Sequence, residues 1–382
     1  MTLHGRDTPT VVNLHNHVRE IGEASGHVVA DRLHRVLLSV TEMEIRPVSY
    51  EEAESRLLSS VRARSYLSAT VSPEMASPAT PLLHRVIAPM VVELVAIDSE
   101  HGMSFVGEEE AEEWGVGWDD LAPVARRNLA GGGTRIGLLD DLAGVFEVSE
   151  PDSYQSAWLA LPDILLEMGA RLGLTVAARL DDPDPVLLAL APTRDVLWLL
   201  NDTEPDQITL AVELAIEVFQ QGPRGISPLP YVVGEANIRP WEPPLHHASV
   251  TVVAAARRVL EGTEYGFQQR GLDELFERSQ DDVFVAGYNV THRNDGTAYS
   301  WAVWVRGVEV GLIPRTEFVM LVGGEDDEPI AVAWDDVLRI AATSFERDPI
   351  LDPPRWRTSG WPSAEVMAML ATVAVDPDAA RS

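Results

Sequence analysis

The chain reads as an α+β protein: an N-terminal mixed α/β domain, then a smaller domain built on an antiparallel β-meander with flanking helices. Three observations predict this. PDQITLAVELAIEVFQQGP (205–223) places Ile208, Ala211, Leu214, Ala215 and Val218 on one face at helical spacing. Two alternating apolar runs, VFVAGYNVTHR and TAYSWAVWV, flank Asn294-Asp295-Gly296, and an Asp-Gly between such runs signals a hairpin, because both central turn positions favour positive φ. Between these regions, GPRGISPLPYVVGEANIRPWEPP (222–244) carries Pro223, Pro228, Pro230, Pro240, Pro243 and Pro244. Proline removes a donor and restrains its predecessor, so this stretch is predicted to be neither a helix interior nor a central strand. The predicted domains are therefore 1–235 and 248–382, joined by a proline-rich linker at 236–247.

Taken in order, SYEEAESRLLSSVRAR (49–64) has a serine cap and an acidic first turn and predicts a helix. VVELVAID (91–98) predicts a strand ending in the polar turn SEHG. Glu108 to Trp114 predicts a short helix stopped at Gly115, and Asp119 to Leu129 a second one followed by Gly131, Gly132 and Gly133. DSYQSAWLALPDILLEMGARLGL (152–174) predicts helix with a break or fresh start at Pro162. TVAARL (175–180), VLLAL (186–190) and VLWLLN (196–201) predict strands, and 205–223 the strongest helix. In the second domain, helices are predicted at 249–262 and 272–279. The hairpin, VEVGLIP, FVMLV and IAVAW follow, then a helix capped by Asp335, and from Asp352 on a stretch rich in Pro, Trp and Arg that finishes in a loose tail.

The charge bounds the function. There are 60 acidic against 29 basic residues, giving a formal net charge of -31, and every basic residue is arginine. Such a balance argues against nucleic acid, whose phosphates are bound by clustered Lys and Arg, and against anionic membrane surfaces. It suits a basic partner. There is no cysteine, which excludes disulfides, thiolate nucleophiles and thiolate metal sites. The missing lysine excludes a P-loop nucleotidase and Schiff-base chemistry. No basic n-region precedes an apolar stretch at the start, and no apolar run reaches the ~20 residues of a spanning helix. A cytoplasmic protein is the expectation.

Several constellations are candidates for chemistry. His15 and His17 lie two apart, a plausible metal pair on a strand, but a site needs more ligands. Asp98-Ser99-Glu100-His101 gathers a carboxylate, a hydroxyl and an imidazole in four residues, which reads more simply as a strand-ending turn. The acidic run Glu108–Glu113 lacks the EF-hand pattern. It reads as a solvated helix face or a contact for a basic partner. Arg355, Trp356, Arg357 and Trp361 are interface candidates, against the plainer reading that their segment wraps back over the meander with arginine stacked on rings. Arg194-Asp195 sits between two apolar runs, and is either a hairpin turn or an arginine presented at a sheet end to an anion or a partner carboxylate.

The span of about 80–235 resembles the YtpQ-like family of bacterial proteins. The likeness rests on PLLHRVIAPMVVELVAID, WGVGWDDLAPVARRNL, DSYQSAWLALPDIL and ALAPTRDVLWLLND, with Asn128-Leu129 and Arg194-Asp195 in the matching positions. The resemblance implies a fold unit and no activity. The functional expectation is a non-enzymatic interaction or regulatory protein, needing no cofactor, whose partner is another protein. A hydrolase or transferase using Asp98, His101, Arg194 and Asp195 is the alternative, and a metal-binding module using His15 and His17 a second.

Overall fold

A computed structural model describes residues 2–3, 10–11, 49–69, 81–99, 102–139, 142–149, 154–174, 186–222, 225–324 and 327–379. The chain is α+β and divides into two compact units, Met1–Ser249 and Val250–Ser382. His15, His17, His101 and the strand predicted at 175–180 lie outside the described residues.

The first unit begins with a two-stranded pair, β1 (Thr2–Leu3) and β2 (Thr10–Val11). Ser49 then caps α1 (Tyr50–Ala53), its hydroxyl accepting the Glu52 amide at 3.4 Å. The helix predicted to continue to 64 ends here. After a 3₁₀ turn at Glu54–Arg56, the chain forms β3 (Leu57–Ala63). β3 pairs along its whole length with β5 (Val91–Ser99), from Leu57 opposite Ile97 to Ala63 opposite Val91. It is buried on both faces, and this pairing overrides the local helical signals. The short α2 (Ser65–Ala69) follows. β4 (His84–Ala88) and β6 (Gly102–Phe105) also pair with β5, completing a four-stranded antiparallel sheet.

α3 (Glu108–Glu113) and α4 (Trp118–Gly131) come next, close to their predicted bounds. α4 lies on β3, and Leu121, Val124 and Ala125 form a core with Leu57, Val95 and Ile97. The second sheet has the order β12-β11-β9-β10-β8-β7. Its strands are β7 (Arg135–Leu138), β8 (Phe146–Ser149), β9 (Leu187–Thr193), β10 (Trp198–Asn201), β11 (Gly225–Val233) and β12 (Ile238–Pro240). Between β8 and β9, a 3₁₀ turn at Gln155–Ala160 leads into α5 (Pro162–Arg171), where Pro162 occupies the first turn. α6 (Pro205–Gln221) covers β9 and β11 and stops at Gly222, where a Cβ would meet the Thr193 methyl at 2.6 Å.

The proline-rich stretch is the clearest departure from expectation. β11, with Pro228 and Pro230, is a central strand between β9 and β12. A register shift between Ser227 and Pro230 accommodates the missing donors. Ser227 Oγ accepts the Leu229 amide at 3.2 Å and the Tyr231 hydroxyl at 2.6 Å, supplying polar contacts where the ladder is interrupted. The segment predicted as a linker is likewise packed: Ile238–Pro240 is β12, and the buried Trp241 donates its amide to Pro230 O at 2.8 Å.

The second unit opens with one helix, α7 (Val250–Ser279), where two were predicted. Glycines at 262, 266 and 271 weaken a helix without removing a hydrogen bond as proline does. One four-stranded sheet has the order β13-β16-β20-β19, from β13 (Phe284–Val285), β16 (Val310–Pro314), β19 (Phe345–Arg347) and β20 (Arg355–Ser359). The other, β14-β15-β17-β18, is made of β14 (Asn289–His292), β15 (Ala298–Val305), β17 (Phe318–Val322) and β18 (Ile330–Ala333). The Asp-Gly hairpin joins β14 to β15, with Gly296 at φ +86 and Asp295 accepting the Thr297 amide at 2.9 Å. The predicted meander is not continuous, because β15–β17 and β13–β16 pair in parallel. β16 leaves its sequence neighbours for the other sheet.

α8 (Trp334–Ile340) starts one residue before Asp335, which lies in its first turn. The Pro-, Trp- and Arg-rich stretch from Asp352 on is structured through Thr372: β20 is an inner strand, and α9 (Ala364–Thr372) is capped by Ser363 and buries Leu370. The core gathers Trp304, Trp334, Phe345, Val319 and Leu370, with Trp356 and Trp361 packed against it. Trp304 is 2% exposed and lies 5.4 Å from the Phe345 ring. Trp304→Ala is expected to destabilise this unit by about 3–5 kcal/mol, read as a lowered urea midpoint with an unchanged slope.

Candidate functional site

Six exposed carboxylates gather at the corner made by α3 and α4. Glu108, Glu109 and Glu110 crowd the first turn of α3, where the helix dipole favours carboxylates. Glu110 also turns back to accept the Gly107 amide at 3.4 Å. Gly115, at φ +70, reverses the chain in a conformation that favours glycine. Asp120 then accepts the Gly117 amide at 2.9 Å and opens α4. Glu108, Glu109, Glu112, Glu113, Asp119 and Asp120 are all exposed. Among the described residues, Glu108, Glu112 and Glu113 have no arginine partner. Asp119 has one in Arg85 of β4 at 2.8 Å, and that guanidinium lies 5.3 Å from the centre of the Trp118 ring. Next to Arg85, Val86 is 52% exposed.

A rigid platform lies beneath this corner. Glu93 of β5 is fully buried, and Arg126 of α4 grips both its oxygens, Nε at 2.8 Å and a terminal nitrogen on the other oxygen. The bond to Glu93 raises the Arg126 guanidinium above its ordinary value, against the cost of its partial burial. Ser59 of β3 donates to the same carboxylate at 2.6 Å. Asn128 donates to Glu54 O and Leu57 O at 2.8 and 2.9 Å. Bidentate geometry fixes direction as well as distance, so the acidic helix end is held in one orientation on its sheet.

Arg194 and Asp195 are brought together in the turn between β9 and β10, with Arg194 Nε donating to Asp195 Oδ1 at 2.9 Å. The Arg194 guanidinium lies 5.0 Å from the centre of the Tyr154 ring and its side chain is 17% exposed. Its backbone oxygen accepts the Ser156 amide at 3.1 Å. The pair thus ties the hairpin to the 3₁₀ turn. Asp98 stands on β5, in the other sheet, where its backbone oxygen accepts Arg56 Nε at 2.9 Å.

In the second unit, Arg355 is fully buried and its guanidinium spans several elements. Nε donates to Gln268 Oε1 at 2.6 Å, one terminal nitrogen to Ala286 O and Leu312 O at 2.7 and 3.0 Å, and the other to Tyr265 O at 3.2 Å. It also lies 5.4 Å from the Tyr265 ring centre. Burial lowers its pKa to about 10, so it stays charged at neutral pH. Trp356 and Trp361 pack on Trp334 and Trp304, at 4.8 and 6.4 Å between ring centres. Arg357 is exposed and 3.8 Å from Asp348. The segment thus enters a sheet as the inner strand β20 and carries its tryptophans against the core, rather than wrapping back over the meander, and Arg355 is a core residue.

The sequence reading missed a polar cluster beside α7. The Tyr288 hydroxyl donates to Glu261 Oε2 at 2.7 Å, and its ring stacks on Tyr265 at 5.6 Å. Burial pushes the Glu261 carboxyl up, opposed by the Tyr288 bond and by Arg257 and Arg315. Nearby, Glu317 accepts both Nε and a terminal nitrogen of Arg258, at 2.9 and 3.1 Å, and the Ser300 amide at 2.7 Å. Burial also raises Glu317, but these bonds outweigh it and hold its carboxyl below the usual range. The signal was present as Arg257, Glu261, Glu264, Tyr265 and Gln268 at helical spacing. Ending a helix at 262 hid it.

Among the described residues, no group of three or more His, Asp or Glu is placed to hold a metal ion. Comparison with models of known families, with curated proteins and with solved structures finds no match.

Arg355→Met removes the buried donor shared by Gln268 and the carbonyls of Ala286, Leu312 and Tyr265, and is expected to cost about 3–5 kcal/mol of stability in urea titrations. Glu261 binds its proton more tightly folded than unfolded. Its contribution is therefore complete below the unfolded pKa and is lost as pH rises through the folded one. Glu261→Gln keeps an acceptor for Tyr288 and is expected to remove that loss, so its stability advantage over the native chain grows as pH rises from about 4, the ordinary carboxylate value, toward neutral. A constant difference across that range is the contrary result.

Proposed function

We propose that the chain is a protein-interaction module that docks a basic protein partner on the acidic corner of its first unit. The observation that carries this reading is the cluster of six exposed carboxylates on α3 and α4, set on the Glu93–Arg126 platform. Charges presented from a fixed frame act as a directional field, and exposed rim charges govern encounter rate and salt dependence more than final affinity. The formal charge of -31 adds a long-range attraction for a basic molecule and repels nucleic acid. Val86 and the half-buried Trp118, beside Arg85, supply apolar and aromatic surface of the kind that anchors an interface once it forms. The corner falls within the span that resembles the YtpQ-like family, so the reading extends that fold unit to a role in binding. No helix among the described residues is long and apolar enough to cross a membrane.

The test replaces Glu108, Glu109, Glu112 and Glu113 together by glutamine. The partner is recovered from the source cells on the native chain and its association is timed against salt. The native chain is expected to associate at least about tenfold faster at low salt than the variant and to lose that advantage as salt rises. Equal rates with equal salt dependence, or an acidic partner, would overturn the proposal.

A further inference from the structure

The second half of α7 exposes an apolar stripe. Phe267 is 44% exposed and Leu275 52%, with Gly271 midway at four-residue spacing, so the three share one helix face. A Cβ on Gly271 would meet nothing within 4 Å, which leaves the backbone open to close approach there. Gln268 and Gln269 tie this half of the helix to its unit, donating to Pro353 O at 2.7 Å and Val285 O at 3.1 Å. Arg270 lies over the Phe267 ring at 4.6 Å and has no carboxylate partner among the described residues. Glu274 has only Arg278, at 3.7 Å with both side chains more than half exposed, a pairing worth little.

We propose that this half of α7 packs antiparallel against the same segment of a second copy, with the two-fold axis passing at Gly271. The stripe is self-complementary in that arrangement. Phe267 and Leu275 are equidistant from Gly271, so each Phe267 meets the Leu275 of the second copy. Arg270 and Glu274 lie on the same flank of the stripe, and the two-fold preserves the flank. Glu274 of one copy then comes within ~3 Å, along the axis, of Arg270 of the other. Each interface residue contacts its counterpart twice, as an isologous contact requires. A single helix pair ~21 Å long makes a small interface, so association is concentration-dependent and weak. Two copies of charge -31 repel at a distance. Moderate salt therefore strengthens this pairing, opposite to its effect on a basic partner.

The chain has no cysteine, so a single introduced thiol reports on proximity without interference. In the full chain under mild oxidation, Gly271→Cys is expected to form a disulfide-linked dimer. Glu277→Cys, on the same helix but ~18 Å along the axis from its own counterpart, is expected to stay monomeric. In sedimentation equilibrium, Arg270→Glu is expected to weaken association about tenfold, and the exchange Arg270→Glu with Glu274→Arg to restore it. Restoration separates a lost contact from a misfolded helix. Equal cross-linking of both cysteine variants, cross-linking of neither, or a native chain that remains monomeric at about 0.5 mM would overturn the proposal.

Discussion

A charge taken out of water must be met by polar groups gathered around it, and a fully buried charge joins several elements in each unit of this chain. In the first unit, Glu93 draws Arg126 from α4 and Ser59 from β3 onto a carboxylate carried by β5. In the second, Arg355 on β20 reaches Gln268 and Tyr265 on α7 and the carbonyls of Ala286 and Leu312. The Glu93–Arg126 pair taken as a whole contributes little net stability over a well-packed apolar replacement, because desolvation offsets the attraction, whereas removing one member of either cluster strands its partners. What each charge imposes is register. α4 cannot slide along its sheet without stranding Glu93, and β20 cannot leave its place without stranding Arg355. The acidic corner inherits its fixed orientation from the first of these constraints.

The same constraint separates what the sequence revealed from what it hid. Signals confined to a few residues were legible. The Asp-Gly turn forms as its chemistry demands, and α6 runs almost from Pro205 to the Gly-Pro stop because its apolar face is written at one spacing. Features decided by distant partners were not. Residues 57–63 carry helical signals, yet pairing with β5 makes them a strand. Pro228 and Pro230 exclude a regular central strand, yet a bulge with Ser227 as local acceptor admits one. Arg355 looks like a surface residue in PPRWRTSGWP, and only the convergence of α7 with the strands around it shows that its guanidinium can be met inside by four hydrogen bonds.

The candidate site divides in the same way. The run of glutamates on α3 is plain in composition, and so is the turn before α4. The contact of Arg85 with Asp119 and Trp118 is not, since it joins segments more than thirty residues apart. Arg194-Asp195 was legible as a hairpin turn, while its use in stacking on Tyr154 depends on a 3₁₀ turn placed by the neighbouring strands.

The absence of lysine acquires a physical meaning here. A guanidinium is planar, carries five donors and stacks on rings, so it can be drawn into protein contacts that a compact, strongly hydrated ammonium resists. This chain uses arginine that way repeatedly: bidentate on Glu93 and on Glu317, stacked at Tyr154, Trp118 and Tyr299, and buried at Arg355. Each such arginine is committed to the fold and is partly or wholly withdrawn from the surface. The carboxylates of α3 and α4 are not balanced by the same number of exposed cations. The field around the molecule is consequently more negative than an even spread of its 29 basic residues would produce. A fold whose arginines turn inward therefore leaves its acidic faces to act at a distance.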